Sequence, residues 1–299
     1  MCPPVVRGWL AASAQVILVG VVGIGFVGSS LLELINRQQG LLSKKFEVHV
    51  RIIALMNADK MVLGDNCGID LDEAQWRQAM LNSKRSASFD DFLGHMQQMQ
   101  QVYPHVVVVD CSYSRRVAEE HTRWLTAGVH VITANIKALC GPLPMYYAIL
   151  DKRRSVAKCY MHAVTVGGGL PIINTMHSML SSGDSISRIE GVFSASLSFI
   201  LGIVSTPAHA RTGSTGGSFR AAISRAWVEG LLENDPMLDL SGRDTAEKLI
   251  VLGRELGLAL QVSGSRTRAS DECAKQRARR AAMTRLCLFS CHGLVTRAA

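Results

Sequence analysis

The chain has 299 residues, 48% of them hydrophobic and 19% charged, which is long enough for two cored domains and excludes an intrinsically disordered protein. The net charge of +8 does not indicate a nucleic-acid binder, because it is unevenly placed. From Gly264 to the end there are eight basic and two acidic residues, so that stretch carries +6 and leaves about +2 for everything before it. Eight scattered cysteines without a CxxC pair suit reduced thiols better than a disulfide framework. The apolar run "VILVGVVGIGFVG" is too short and too rich in glycine to span a membrane, so the expected partner is a small molecule, neither nucleic acid nor lipid.

Residues 16–22, "VILVGVV", predict a buried strand, followed by "GIGFVG" and a helix through "SSLLELINRQQGLL". A second strand is expected at "EVHVRIIALMN", then a helix at "FDDFLGHMQQMQQVY" and a third strand at "HVVVVDCS". "RRVAEEHTRWLTAG" reads as a helix ending at Gly128, and "VHVITAN" as a fourth strand. This alternation predicts a doubly wound, Rossmann-type parallel sheet over residues 1–150. The pattern then changes. Residues 151–262 predict an α+β catalytic and dimerisation domain: strand, glycine turn and helix across "CYMHAVTVGGGLPIINTMHSML", then helices at "FRAAISRAWVEGLLEN" and "SGRDTAEKLIVLGRELGL". Residues 263–299 lose amphipathic order and are expected to form a solvated basic tail.

Gly23, Gly25 and Gly28 make G-x-G-x-x-G between a strand and a helix. In that setting the first glycine permits the tight turn, the second admits a pyrophosphate and the third lets helix and strand approach. A helix N-terminus also offers free N–H groups to phosphate, so Gly23, Gly25, Phe26, Val27 and Gly28 are the expected cradle. The bland alternative is a glycine turn without a ligand. At the tip of the second strand stands Asn57, where an NAD reader would be acidic; with Lys60 nearby this favours NADP over NAD. In "LLENDPMLDLSGRDTAEKL", Asp244 and Lys248 are four apart and share a helical face, where the acid can orient the ammonium. Ser241 with Asp244 also matches a capping signature, and the acid–lysine pair read blandly is a surface contact contributing about 0.3–0.5 kcal/mol.

Six segments in order resemble homoserine dehydrogenase, in the style of the bifunctional aspartate kinase–homoserine dehydrogenases. They are "GVVGIGFVGSSLLELI", "VVDCSYS", "HVITANIKAL", "AVTVGGGLPII", "RIEGVFSASLSFIL" and "EGLLENDPMLDLSGRDTAEKLIVLGRELG". The resemblance runs from about residue 15 to about 262 and implies reversible NAD(P)-linked reduction of L-aspartate 4-semialdehyde to L-homoserine, a step toward threonine, isoleucine and methionine. It implies that Glu233 and Asp239 grip the substrate, that Lys248 lies near the reacting oxygen with Asp244 beside it, and that Ser112 and Asn135 contact the cofactor. It also implies a monovalent cation, sodium in kind, on the backbone carbonyls of Ala163, Val166 and Gly168, although the family carries an acid where this chain has Ala163. A homodimer is implied, in the cytoplasm or a plastid.

Two departures stand out. The family pattern places a lysine directly after the asparagine of "VITANIKAL", where this chain has Ile136, with Lys137 one step on. One residue of offset turns a side chain by roughly 100–180°, so the resemblance implies an activity impaired at Ile136. The end of the chain matches nothing expected of the family and reads as a C-terminal truncation. Two alternatives follow: a non-catalytic fragment that binds dinucleotide or partners, and a different amino-acid oxidoreductase on the same scaffold.

Overall fold

The computed structural model describes residues 15–155, 159–205, 218–232, 240–263, 266–269 and 285–286. Contacts divide the chain into two compact units, Met1–Thr165 and Val166–Ala299. The first unit thus reaches past the boundary at 150 expected from sequence, because a short strand at Tyr160–Met161 still belongs to its sheet.

In the first unit, β1 (Gln15–Val22), β2 (Val48–Met56), β3 (Met61–Leu63), β4 (His105–Asp110), β5 (His130–Thr133) and β6 (Tyr160–Met161) form one sheet in the order β3-β2-β1-β4-β5-β6. All pairings are parallel except β2 with β3, which is antiparallel. The parallel strands were legible as unbroken apolar runs because helices cover both faces, leaving no polar side. Helices α1 (Phe26–Phe46), α2 (Glu73–Asn82), α3 (Phe89–Gln100), α4 (Arg115–Thr126), α5 (Lys137–Cys140) and α6 (Leu143–Ser155) intervene. On one side Leu32 of α1 and Trp76 and Met80 of α2 pack with Val19, Val21, Ile52 and Leu55 of the sheet. Each such fully buried side chain contributes about 1.5–3 kcal/mol. Helix α4 turns Val117, Ala118, His121, Trp124 and Leu125 inward, an apolar stripe with one histidine in it. The chain reverses from β1 toward β4 across its centre, so the carboxyl ends of β1 and β4 flank the crevice where ligands bind in open α/β sheets.

In the second unit, α7 (Ile172–Ser181), α8 (Ala195–Ser205), α9 (Phe219–Val228) and α10 (Arg243–Glu255) are the described helices. Ile200 of α8 and Ala222 and Ala226 of α9 form a small core, joined by Phe199, Ile203, Ile223, Leu232 and Leu240. The short strands β7 (Arg188–Ile189), β8 (Leu260–Ser263), β9 (Arg266–Ala269) and β10 (Arg285–Leu286) pair as β8 with β9 and β7 with β10. Strand pairing therefore enters the stretch expected to be a solvated tail. Backbone groups make these pairings, so a charged sequence such as "RTRA" can pair without any amphipathic signal.

Among the described cysteines, Cys111 and Cys159 carry free thiols.

Candidate active site

The glycine turn opens where β1 ends. Gly23 donates to the Met56 carbonyl and Cys111 donates to the Val22 carbonyl, which sets the tips of β2 and β4 on either side of it. Gly23 has φ +90°, in the region glycine favours, and a Cβ there would lie 2.6 Å from the Ser112 nitrogen. A Cβ on Gly28 would lie 2.2 Å from the Gly23 carbonyl oxygen, so helix and turn touch through bare backbone. A Cβ on Gly25 would meet nothing within 4 Å. That contrast fits a dinucleotide. Two glycines close the turn and the third leaves a bare concavity at the start of α1, whose first turn has no side-chain cap. Phe26 and Val27 stand exposed at the same end.

At the tip of β2, Asn57 turns back on its own chain: its side-chain oxygen accepts from the amides of Asp59 (2.9 Å) and Lys60 (2.7 Å). Lys60 donates to the Leu81 carbonyl at 2.7 Å. The pair anticipated as a 2′-phosphate reader thus forms, first of all, a turn and its tether.

Between the tips of β4 and β5 lies a polar cluster in which Asp110, His121 and Asn135 are wholly buried and Ser112 half-buried. Asp110, the last residue of β4, accepts four hydrogen bonds. Its Oδ1 receives the Ser112 amide (2.8 Å) and hydroxyl (2.6 Å), and its Oδ2 receives His121 Nε2 and Asn135 Nδ2, both at 2.9 Å. Asn135 also donates to the Ser112 hydroxyl at 3.3 Å and the Ser114 carbonyl at 2.8 Å. Ser112 and Asn135, anticipated separately, are therefore brought together. The signal for the rest was present in the histidine inside the apolar stripe of α4 and the acid closing an apolar strand. Cys111, next in the chain, has its thiol pushed up to about 12 by burial and by the neighbouring Asp110 carboxylate.

Beyond Asn135, Ile136 is buried at 3% exposure, while Lys137 turns to Tyr113. Its ammonium donates to the tyrosine hydroxyl at 3.0 Å and lies 4.2 Å from the ring centroid. The two side chains go to different places, and the cation is held over an aromatic ring.

In the loop anticipated to bind a cation, Ala163–Thr165 form a single 3₁₀ turn and Gly167 and Gly168 have φ +84° and +58°. A Cβ on Gly167 would lie 2.4 Å from Ile172 Cδ1. Glycine is favoured there by conformation, the clash falling on the movable end of the Ile172 side chain.

In the second unit, Asp244 and Lys248 sit on α10 as their spacing predicts. Lys248 Nζ donates to Asp244 Oδ2 at 2.6 Å and to the Phe193 carbonyl at 2.9 Å. Asp244 is buried at 6% exposure, which removes the reading of this contact as a surface pair. The capping signature is corrected as well. The residue that caps α10 is Gly242 at φ +72°, with no side-chain cap, and Ser241 accepts from the Arg243 amide at 3.4 Å. A left-handed glycine starts the helix one residue later than the signature requires. Nearby, Ser194 and Ser196 are buried and hydrogen-bonded to each other at 2.9 Å. Glu233 and Asp239 lie outside the described residues. A residue missed in the sequence is Arg254, buried at the end of α10, whose Nε and Nη2 both donate to the Leu260 carbonyl, at 3.1 and 2.8 Å.

Sheet order and glycine turn together define a Rossmann-type NAD(P)-binding protein carrying a second, lysine- and acid-bearing unit. Two family models match: "Homoserine dehydrogenase, NAD binding domain" over residues 23–162 and "Homoserine dehydrogenase" over residues 171–286. The chain belongs to the homoserine dehydrogenase family. It is 37% identical over 251 residues to a chloroplastic bifunctional aspartokinase/homoserine dehydrogenase of Zea mays, covering 84% of this chain and 26% of that protein. It is 35% identical over 242 residues to the bifunctional aspartokinase/homoserine dehydrogenase of Haemophilus influenzae, covering 81% of this chain and 28% of the relative. The chain thus spans about a quarter of the length of these relatives. Among solved structures, a hyperthermophilic archaeal homoserine dehydrogenase in complex with NADPH superposes with a TM-score of 0.60 at 24% identity, covering 81% of this chain and 70% of that one. That likeness establishes a shared fold.

Proposed function

We propose that this chain catalyses the NAD(P)-linked interconversion of L-aspartate 4-semialdehyde and L-homoserine, in threonine, methionine and isoleucine biosynthesis. The observation that carries the proposal is the Lys248 ammonium, fixed between the buried Asp244 carboxylate and the Phe193 carbonyl. Bound cofactor supplies or accepts the hydride. The oxygen of the reacting carbonyl gains charge as hydride arrives, and a fixed ammonium stabilises it without rearranging. Asp244 keeps that ammonium aimed through its hydrogen bond at 2.6 Å. Glu233 and Asp239 supply carboxylates for the substrate ammonium. Gly23, Gly25, Phe26, Val27 and Gly28 cradle the pyrophosphate, with Ser112 and Asn135 at the edge of β4 and β5. The amide at Asn57, in place of a carboxylate, favours NADP. Sodium on the carbonyls of Ala163, Val166 and Gly168, a homodimer, and a cytoplasmic or plastid location complete the proposal. No helix among the described residues is long and apolar enough to cross a membrane.

The test is homoserine oxidation with NADP⁺ by the wild type and by Lys248→Met. The expected result is activity in the wild type and a 10²–10⁴-fold lower kcat, roughly, in a folded variant. Equal rates in the two proteins remove Lys248 from the mechanism. A second reading, a non-catalytic dinucleotide-binding chain, is favoured by the buried Ile136 in the lysine's place. Dinucleotide binding without turnover establishes it.

A further inference from the structure

The buried cluster at the β4–β5 edge has a layer that the proposed reaction does not use. His121 lies on α4 and Tyr160 on β6, and neither is near the glycine turn in sequence. His121 Nε2 contacts Asp110 Oδ2 at 2.9 Å, and His121 Nδ1 contacts the Tyr160 hydroxyl at 3.0 Å. Asp110 and His121 are wholly buried and Tyr160 is 4% exposed. The donor directions follow from chemistry. A carboxylate oxygen accepts, so Nε2 is the side of the ring that donates to Asp110, and Nδ1 is left to pair with the tyrosine hydroxyl.

We infer that His121, steadied by Tyr160, is a positioning residue for the dinucleotide edge, acting through Asp110 on Ser112 and Asn135. The inference rests on the reading of Ser112 and Asn135 as cofactor contacts. Three features support it. First, the carboxylate has room for about four donors, and it receives four. Removing one leaves a buried charge under-bonded, so the carboxylate must shift or take in water. Second, two of the remaining donors are the amide and hydroxyl of Ser112, and the third is the Asn135 amide, so a shift of Asp110 moves those groups directly. Third, Asn135 passes the geometry on, since its Oδ1 accepts from the Lys137 amide at 3.1 Å. The chain of contacts therefore joins four elements, β6, α4, β4 and the start of α5, behind one short stretch of crevice wall. A histidine suits this place because one planar ring both donates and accepts across a gap between two oxygen-bearing groups.

The experiment compares the full chain with His121→Leu, His121→Gln and Tyr160→Phe, by NADPH titration and by backbone amide hydrogen exchange without cofactor. Glutamine carries a donor nitrogen and an acceptor oxygen spaced much like the two ring nitrogens, so it can restore both contacts. For His121→Leu the expectation is about tenfold weaker NADPH binding, the upper range for one lost hydrogen bond, and faster exchange at Ser112 and Lys137 while the β1 and β2 amides keep their protection. His121→Gln should recover most of the affinity, and Tyr160→Phe should lose about threefold. A merely structural role is distinguished because it would loosen all strands together and would not be rescued by glutamine. A folded His121→Leu protein with wild-type affinity and wild-type exchange at Ser112 overturns the inference. Wild-type protein that binds no NADPH or NADH, with exchange at Ser112 and Lys137 still raised in His121→Leu, overturns the dinucleotide reading and supports the positioning of this edge by His121.

Discussion

Gly25 and Gly28 stand three residues apart in one turn and answer to different forces. A methyl group on Gly28 collides with the Gly23 carbonyl oxygen at 2.2 Å, whereas one on Gly25 enters open space. Gly28→Ala is therefore expected to destabilise the fold by about 2 kcal/mol or more, measurable by urea unfolding. Gly25→Val should leave the urea midpoint close to wild type and weaken NADP⁺ binding at least about tenfold, since side chain and pyrophosphate compete for one space. Unchanged NADP⁺ affinity in a folded Gly25→Val protein would remove the pyrophosphate from this turn. The cysteine beside the crevice makes a related point at the same scale. Burial first, and then the neighbouring Asp110 carboxylate, push the Cys111 thiol up to about 12, which disfavours its thiolate.

At the scale of elements, the connection from β5 into α5 carries the isoleucine where the family resemblance leads one to expect a lysine. Ile136 precedes the first residue of α5 with helical φ and ψ of −65° and −23°, and its side chain is buried. Restoring a lysine there by Ile136→Lys is expected to lower the thermal midpoint by about 5–10 °C, because an ammonium replaces a packed aliphatic group. A midpoint within about 1 °C of wild type would mean that the new side chain escapes into the crevice. The same connection shows what sequence reasoning can and cannot recover. β1, β2, β4, β5, α3 and α4 were legible because long apolar runs and 3.6-residue stripes repeat their signal many times. The strand at 61–63 was passed over because three residues hold too little periodicity to be seen. Helix α2 was missed with it, since it buries only Trp76 and Met80 and its cap, Asp72, looks like any turn acid. In the candidate site, spacing alone put Asp244 beside Lys248, but the Phe193 carbonyl that completes the anchor comes from 55 residues away. No local pattern encodes such a contact. The Asp110–His121 contact spans only eleven residues and crosses from strand to helix; the sequence marks each partner as a polar residue in an apolar pattern but not their pairing.

For the molecule as a whole, the division after Thr165 has a thermodynamic consequence. A ligand stabilises the cooperative unit that binds it, by about 2.7 kcal/mol at a hundred times its dissociation constant. The glycine turn, Ser112 and Asn135 all belong to the first unit. Scanning calorimetry of the full chain is therefore expected to show two transitions, with saturating NADP⁺ raising only one of them. A single transition that moves as a whole would show that the two units melt as one. Elements at both scales above fall on one side or the other of this division, the Lys248 anchor in one unit and the Asp110 cluster in the other.

The Lys248 anchor also bears on timing. A lysine left to move would surrender up to about 2 kcal/mol of rotamer freedom on meeting a ligand. With Asp244 and the Phe193 carbonyl already holding its nitrogen, that ordering is completed when the polypeptide folds. On the proposed function, an arriving substrate finds the ammonium in place and waits for no side-chain search. Encounter is then governed by how quickly the partner sheds water and turns into register.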